Sequence, residues 1–160
     1  MAEKKNKNLF LWEQVETTDP EFTTKVNQRG GFTAIGAQYQ IKNATEVFGS
    51  FGHGFGVKDE KYTPILNDTL IVYTSTFYYK YKDEVGDVAG EFPISSSIKV
   101  MMGSKLDDDC IKKVQTDAIT KGLSRLGFNA DVFMGRFDGN KYVDATGGAS
   151  TNQGNKEEWL

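Results

Sequence analysis

Hydrophobic positions between residues 110 and 126 follow the period of an α-helix. Small or apolar side chains recur there at steps of three and four residues, which places them along one side of a helix. They are Cys110, Ile111, Val114, Ala118, Ile119, Gly122, Leu123 and Leu126. Ser104 and Asp107 have the spacing of a capping box, and Gly127 is placed to end the helix. The pattern predicts a long helix whose apolar side packs against a core.

Two stretches before this helix alternate between apolar and polar residues, which is typical of half-buried β-strands. The first runs from Asp68 to Lys82, and the second runs from Phe92 to Met102. Residues 83–90 between them are polar and contain glycine, as a hairpin connection does. We therefore expect two long antiparallel strands that lead into the helix.

Shorter signals complete the predicted fold. Apolar residues at helical spacing predict a short helix that ends at Phe48, and Gly49 can terminate it. The glycines that follow, up to Gly56, suit a bend. Arg29 precedes two glycines that suit a turn. The order predicts an α+β protein in which an antiparallel sheet packs on the long helix, with the short helix flanking it. We expect an arm at 1–9, a single domain at 10–144 and a tail at 145–160.

Composition limits the class of protein. The chain has 160 residues, of which 38% are hydrophobic, and this is enough for one substantial core. No apolar run approaches the roughly 20 residues that span a bilayer, so we expect a cytoplasmic protein with no membrane partner. Cys110 is the single cysteine, which excludes an internal disulfide and suggests a packed thiol.

Charge qualifies the choice of partner. A formal net charge of −3 argues against a nucleic-acid partner when it is taken over the whole chain. The predicted long helix is different, because Lys113, Lys121 and Arg125 lie on its polar side at spacings that suit phosphate. The alternative is a solvated helix face in which these cations pair with Asp117.

The first predicted strand offers a second set of candidates. Tyr73, Phe77, Tyr79 and Tyr81 alternate on one side, where core packing is the expected role for large aromatic residues. Tyr78 lies on the opposite side beside Lys80. An exposed tyrosine next to a lysine is a candidate for stacking on a base beside a phosphate.

The residue pattern gives little support for a catalytic function. His53 is the only histidine, which excludes a histidine pair, and the nearby glycines match neither a Walker motif nor a dinucleotide fingerprint. Three consecutive carboxylates, Asp107–Asp109, allow the alternative of a magnesium-dependent nuclease. Helix capping and the helix dipole explain them more simply. We expect no catalytic residues, no metal and no cofactor.

Three blocks in order give the chain a resemblance to a known family. Arg29-Gly30-Gly31 is similar to an arginine followed by a glycine run, and residues 44–49 (ATEVFG) are similar to a conserved helix end. Residues 113–127, with a Thr-Asp pair before cations, leucines and a terminal glycine, are similar to a basic helix. Together they resemble the single-strand annealing proteins of the Rad-fifty-two superfamily, including phage recombinases of the Sak type.

The resemblance implies a β-β-β-α core, assembly into a homo-oligomeric ring, and ATP-independent annealing of single-stranded DNA during recombination. It places Arg29, Lys105 and Lys121 in the DNA groove. The family's helix has two adjacent basic residues and a third one three positions later. In this chain Thr120 stands in place of one residue of the pair, and the last cation is shifted by one position, from Ser124 to Arg125. The role of Arg125 therefore follows less directly from the resemblance.

The C-terminal residues suggest a protein contact. Glu157, Glu158, Trp159 and Leu160 place two acids before two apolar side chains at the end of a polar tail. This arrangement resembles the tails by which single-strand-binding proteins recruit partners. A single-strand-binding protein or an exonuclease is the expected partner. The alternative function is a coating or adaptor protein that recruits such partners without annealing.

Overall fold

A computed structural model describes residues 4–28 and 30–138 of the chain. Those residues form two compact units, one made by Gln40–Leu126 and the other by the chain before Gln40 and after Leu126. Both units combine helices with antiparallel β-strands, so the predicted α+β class is confirmed. No helix of the described residues is long and apolar enough to cross a bilayer.

The regular elements follow one another in this chain order: α1 (Phe10–Val15), β1 (Thr23–Val26), β2 (Phe32–Ile35), α2 (Ala37–Phe48), β3 (Phe55–Ile65), β4 (Leu70–Lys82), β5 (Asp87–Lys99), β6 (Met101–Met102), β7 (Lys105–Leu106), α3 (Cys110–Arg125) and α4 (Ala130–Phe133). Single turns of 3-10 helix at Lys7–Leu9 and Pro20–Phe22 precede α1 and β1. The short helix predicted to end at Gly49 is α2, and Gly49 has a φ of 100° directly after it.

The first unit contains the hairpin of β1 and β2, together with α1 and α4. Gly30 and Gly31 have φ values of 80° and 84° in the hairpin turn, as their sequence predicts. A buried polar network ties residues of α4 to the segment after α1. The carboxylate of Asp131 accepts hydrogen bonds from the backbone N–H of Thr18 at 2.8 Å and from its hydroxyl at 2.5 Å. The sequence pattern did not reveal this contact between residues 113 positions apart.

The second unit is a three-stranded antiparallel sheet in the order β3-β4-β5, with α3 packed on one face. The central strand buries Tyr73 and Phe77 completely on that face, which confirms the predicted core role of both residues. Ile94 of β5 and Leu123 of α3 are also buried. In the chain, β3, β4 and β5 precede α3, and the short strands β6 and β7 lie between β5 and the helix.

The second strand differs from its predicted bounds at both ends. β5 starts at Asp87, so the connection after β4 is only residues 83–86 instead of 83–90. Ala89 and Gly90 continue the ladder because they pair with Lys80 and Tyr79, and a Cβ on Gly90 would lie 2.5 Å from the Tyr79 hydroxyl. A glycine there makes room for a cross-strand aromatic ring. The other end stops at Lys99, and Met102, the predicted last residue, lies on β6, where it is 65% exposed.

The start of α3 also corrects two sequence predictions. The helix begins at Cys110 with Asp109 as its N-cap, while Ser104 lies before β7, so the predicted capping box is not formed. Ile111 is 43% exposed and does not belong to the buried side. It follows Cys110 by one residue, which rotates it by about 100° around the helix axis. Cys110 itself is buried as a free thiol, as expected.

Two residues of α3 give a direct test of which side of the helix packs on the sheet. Leu123→Ala should lower the free energy of unfolding by about 2–5 kcal/mol, because the leucine side chain is fully buried. Ile111→Ala should change it by about 0.5 kcal/mol or less, as exposed substitutions do. Urea unfolding followed by circular dichroism measures both values. Equal losses for the two variants would contradict this orientation of α3.

Candidate functional site

The outer side of α3 holds three of the cations predicted to contact DNA. Lys113, Lys121 and Arg125 are all exposed there. Lys113 lies with its Nζ 2.9 Å from Oδ2 of Asp107, and Lys121 lies with its Nζ 2.8 Å from Oδ2 of Asp117. The pairing of Lys121 with Asp117 is the one that the alternative interpretation of this helix face expects.

Asp107 and Asp117, the partners of these two lysines, are each held by further hydrogen bonds. The hydrogen bond from Lys113 lowers the pKa of Asp107 against the opposing effect of burial, and the same bond raises the pKa of Lys113. Burial alone would raise the pKa of Asp117, but hydrogen bonds from Lys121 and from Ser96 of β5 outweigh it and lower the pKa. Asp117 therefore links the sheet, the helix and the lysine in one short network.

Charge on α3 is balanced by the acids that precede it. Lys112 also has a partner, since its Nζ lies 3.5 Å from Asp109. Residues 107–125 contain four cations and four carboxylates, so this segment has no net charge. Arg125 has no ion-pair partner within the described part of the chain. The excess of cations within α3 itself disappears when the aspartates before the helix are counted.

The opposite face of the three-stranded sheet is exposed, and we call it the open face. Its members are fixed by strand register, because directly paired residues point to the same side of a sheet. Every second residue of β5, from Asp87 to Lys99, is exposed there. The charged residues of the open face are Lys58, Lys61, Lys80, Lys82, Asp87, Glu91 and Lys99.

The open face carries five lysines and two carboxylates, so it has a net positive charge. Lys58 of β3 reaches across β4 to Glu91 of β5, with 2.5 Å between Nζ and Oε2. Among the described residues, Lys61 and Lys99 have no acidic partner within 4.0 Å. From the level of Lys99 to that of Lys82, the cations extend over about 40 Å at the usual rise per strand residue. This length suits a strand of several nucleotides.

A β-bulge in β3 explains why two lysines only three residues apart share the open face. Lys58 pairs with Thr76 and Lys61 pairs with Thr74, and Asp59 between them has a φ of 55°. The bulge turns Glu60 to the other face, where its Oε1 accepts a hydrogen bond from the Tyr73 hydroxyl at 2.7 Å.

Burial and this contact raise the pKa of Tyr73 to about 12, against the opposing effect of Ser75. The hydroxyl therefore stays a hydrogen-bond donor to Glu60 at neutral pH. Simple alternation in the sequence does not reveal such a bulge, and Lys61 was missed for this reason.

Tyr78 and Lys80 are brought together on the open face. They lie on the side of β4 opposite to Tyr73 and Phe77, as the alternation predicts. Nζ of Lys80 lies 3.5 Å from Nε2 of His53, which belongs to the glycine-rich turn before β3. These two candidates therefore form part of the larger cationic surface.

The remaining predicted residues lie elsewhere or outside the described part of the chain. Lys105 is exposed on β7 and pairs with Met102, whose sulfur is 4.0 Å from Nζ of Lys113, so these two lysines are neighbours. Arg29 and the tail residues Glu157, Glu158, Trp159 and Leu160 lie outside the described residues.

The carboxylates before α3 are engaged in local contacts. Asp107 is nearly buried and accepts hydrogen bonds from Lys113 and from the backbone N–H of Asp109. Within residues 4–28 and 30–138, no cluster of three or more His, Cys, Asp or Glu side chains is arranged to hold a metal ion. Asp107 therefore has a structural role at the start of α3.

Comparisons with known proteins add no assignment. No protein-family model matches the chain, and no curated protein matches it. The relation to single-strand annealing proteins therefore stays a prediction from three sequence blocks.

The ion pair at the start of α3 predicts a dependence of stability on pH. Because folding lowers the pKa of Asp107, its contribution is complete above the ordinary aspartate pKa of about 3.9 and is lost as pH falls through the lower folded value. Asp107→Asn should therefore lower the melting temperature at pH 7, and the difference should shrink below pH 4.

Asp108→Asn is the matched control, because Asp108 is exposed and Lys113 pairs with Asp107 instead. It should change the melting temperature little at either pH. Thermal unfolding of the three proteins between pH 2.5 and pH 7 measures this. A constant difference between wild type and Asp107→Asn over that range would show that the ion pair is not its source.

Proposed function

We propose that this protein binds single-stranded DNA and anneals complementary strands without bond chemistry. The observation that carries the proposal is the open face, where lysines outnumber carboxylates and the half-buried Tyr78 contributes an aromatic ring. A cationic groove with an aromatic side chain is a common way to bind single strands without sequence preference. The resemblance to single-strand annealing proteins agrees with this chemistry.

In the proposed mechanism, lysines of the open face contact phosphates and displace condensed counterions. A row of cations along strands leaves most bases of the bound DNA free to pair. Neutralising the backbone also lowers the repulsion between two complementary strands as they approach. The protein organises the strands, and no nucleotide hydrolysis, metal or catalytic residue enters the proposed reaction.

The outer side of α3 has a secondary role in this proposal. Lys121 can contact a phosphate only by leaving or sharing its contact with Asp117, whereas Lys61 and Lys99 make no such exchange. Lys105 and Lys113 can extend the cationic path, with the same exchange required of Lys113. Arg29 stays a candidate from the resemblance alone.

Removing two unpaired lysines of the open face should weaken DNA binding in a salt-dependent way. The double variant Lys61→Gln, Lys99→Gln should reduce the slope of log affinity against log salt by about 0.7 for each lysine that contacts a phosphate. Fluorescence anisotropy with a labelled oligothymidine at several salt concentrations measures the slope. A strand-annealing assay without ATP or metal should show a matching loss of acceleration.

Two other variants make this test specific. Lys42→Gln removes an exposed lysine of α2 that pairs with Glu46, and it should leave affinity unchanged. Lys121→Gln should reduce affinity less than the open-face variant does. The reverse order would move the DNA site to α3. Tight binding by the wild type without any annealing would favour the alternative function, a coating or adaptor protein.

Self-association is also part of the proposal, and exposed apolar residues at one end of the sheet support it. Leu66, Met102 and Leu106 are 70%, 65% and 69% exposed. Their turns are joined by the hydrogen bond from Val100 N–H to Thr69 O at 3.1 Å. Exposed apolar clusters of this kind are typical of protein interfaces, and we propose a second copy of this chain as the occupant.

The double variant Leu66→Ser, Leu106→Ser should therefore lower the oligomeric mass in solution. Light scattering coupled to size-exclusion chromatography measures the mass. Val85→Ser is the matched control, because Val85 is 84% exposed in the turn after β4 at the opposite end of that strand. If both variants keep the wild-type mass, the interface lies elsewhere, and a monomeric wild type would remove self-association from the proposal.

A further inference from the structure

The ring of Tyr78 lies close to the backbone of the neighbouring strand, β3. It faces Gly56 on β3, and a Cβ on Gly56 would lie 2.8 Å from the tyrosine hydroxyl oxygen and 3.0 Å from the carbon that bears it. The end of the ring therefore covers the glycine backbone, where any other residue would push it away. A ring held in this way has one side against the protein and can offer the other side to a planar ligand.

A cleft of about 520 Å³ includes this ring. Its lining includes His53 and the charged residues Lys58, Lys80 and Glu91, while the neighbouring part of β5 has only the small residues Ala89 and Gly90. The volume lies within the range of small-ligand sites. The cleft combines an aromatic ring, small residues on β5 and lysines at its edge, and this surface fits one nucleotide.

The glycine-rich turn holds His53 at the margin of the cleft. The carbonyl of Gly54 accepts a hydrogen bond from the backbone N–H of Lys80 at 2.9 Å, which fixes the turn to β4. A Cβ on Gly54 would lie 1.8 Å from the carbonyl oxygen of Phe48, so glycine is required. This attachment places the His53 ring beside the Lys80 ammonium group, where both can approach a single phosphate.

We propose that this cleft is a nucleotide subsite for single-stranded DNA, in which one base stacks on Tyr78 while its phosphate contacts Lys80 and His53. This inference rests on the proposed function and adds to it a fixed point along the cationic face. The ion pair of Lys58 with Glu91 borders the subsite and limits the number of bases that can stack. Bases on either side stay free for pairing.

Substitution of Tyr78 tests the stacking. Tyr78→Leu should weaken binding of an oligothymidine by about 5- to 150-fold, the loss expected for one stacked base. Tyr78→Phe keeps the ring and should stay within about twofold of wild type. Tyr62→Leu is the matched control, because Tyr62 is partly exposed on the other face of the sheet, where its ring is tilted against that of Tyr73 with 5.0 Å between the centroids. Its affinity should equal that of wild type.

Two further measurements separate stacking from misfolding. An abasic oligonucleotide of the same length should bind wild type and Tyr78→Leu equally, because it has no base to stack. With 2-aminopurine in the oligonucleotide, wild type and Tyr78→Phe should quench the fluorescence, and Tyr78→Leu should not. Equal affinity of wild type and Tyr78→Leu for oligothymidine, or the same loss with the abasic strand, would overturn the subsite. Failure of wild type to bind any single strand would instead refute the proposed function.

Discussion

The packing of α3 on one face of a three-stranded sheet is the contact on which the second unit depends. Gly122 allows it, since a Cβ there would lie 3.1 Å from Ile94 and 3.3 Å from Phe77. A larger residue would press on both side chains and separate the helix from the sheet. The close approach buries Phe77 and Tyr73 on the central strand and fixes which face of the sheet is closed.

In the second unit, α3 and Phe48 of α2 pack on the same face of the sheet, and this determines the chemistry of the other face. The residues of β4 and β5 that point away from α3 must tolerate water, and polar side chains are therefore expected there. What is specific to this chain is the sign of the charge, with five lysines against two carboxylates. A solvated face requires neither this excess nor an aromatic ring laid across Gly56. Both features suit a polyanion with planar bases.

The sequence was sufficient to predict those features that depend on local period. Alternation identified β4 and the side of Tyr78, and helical spacing identified α3 and most of its buried side. The failures have a different origin. Ile111 was misplaced because one residue at a helix start changes its direction, and Lys61 was missed because a bulge interrupts alternation. The partner of Lys113 depends on a fold-back of the segment before α3, which no periodic pattern reports.

The same limitation changes how cations should be weighed as binding candidates. An exposed ion pair contributes at most about 1 kcal/mol to stability, so Lys121 can exchange Asp117 for a phosphate at small cost. The exchange nevertheless leaves the aspartate charge beside the phosphate, and the net attraction is reduced. Lys61 and Lys99 bring no such partner. A chain with a net negative charge can therefore bind a polyanion if its carboxylates pair with cations on one surface and leave the cations of another surface unpaired. The outer side of α3 is a surface of the first kind, and the open face, with Lys61 and Lys99, is a surface of the second kind.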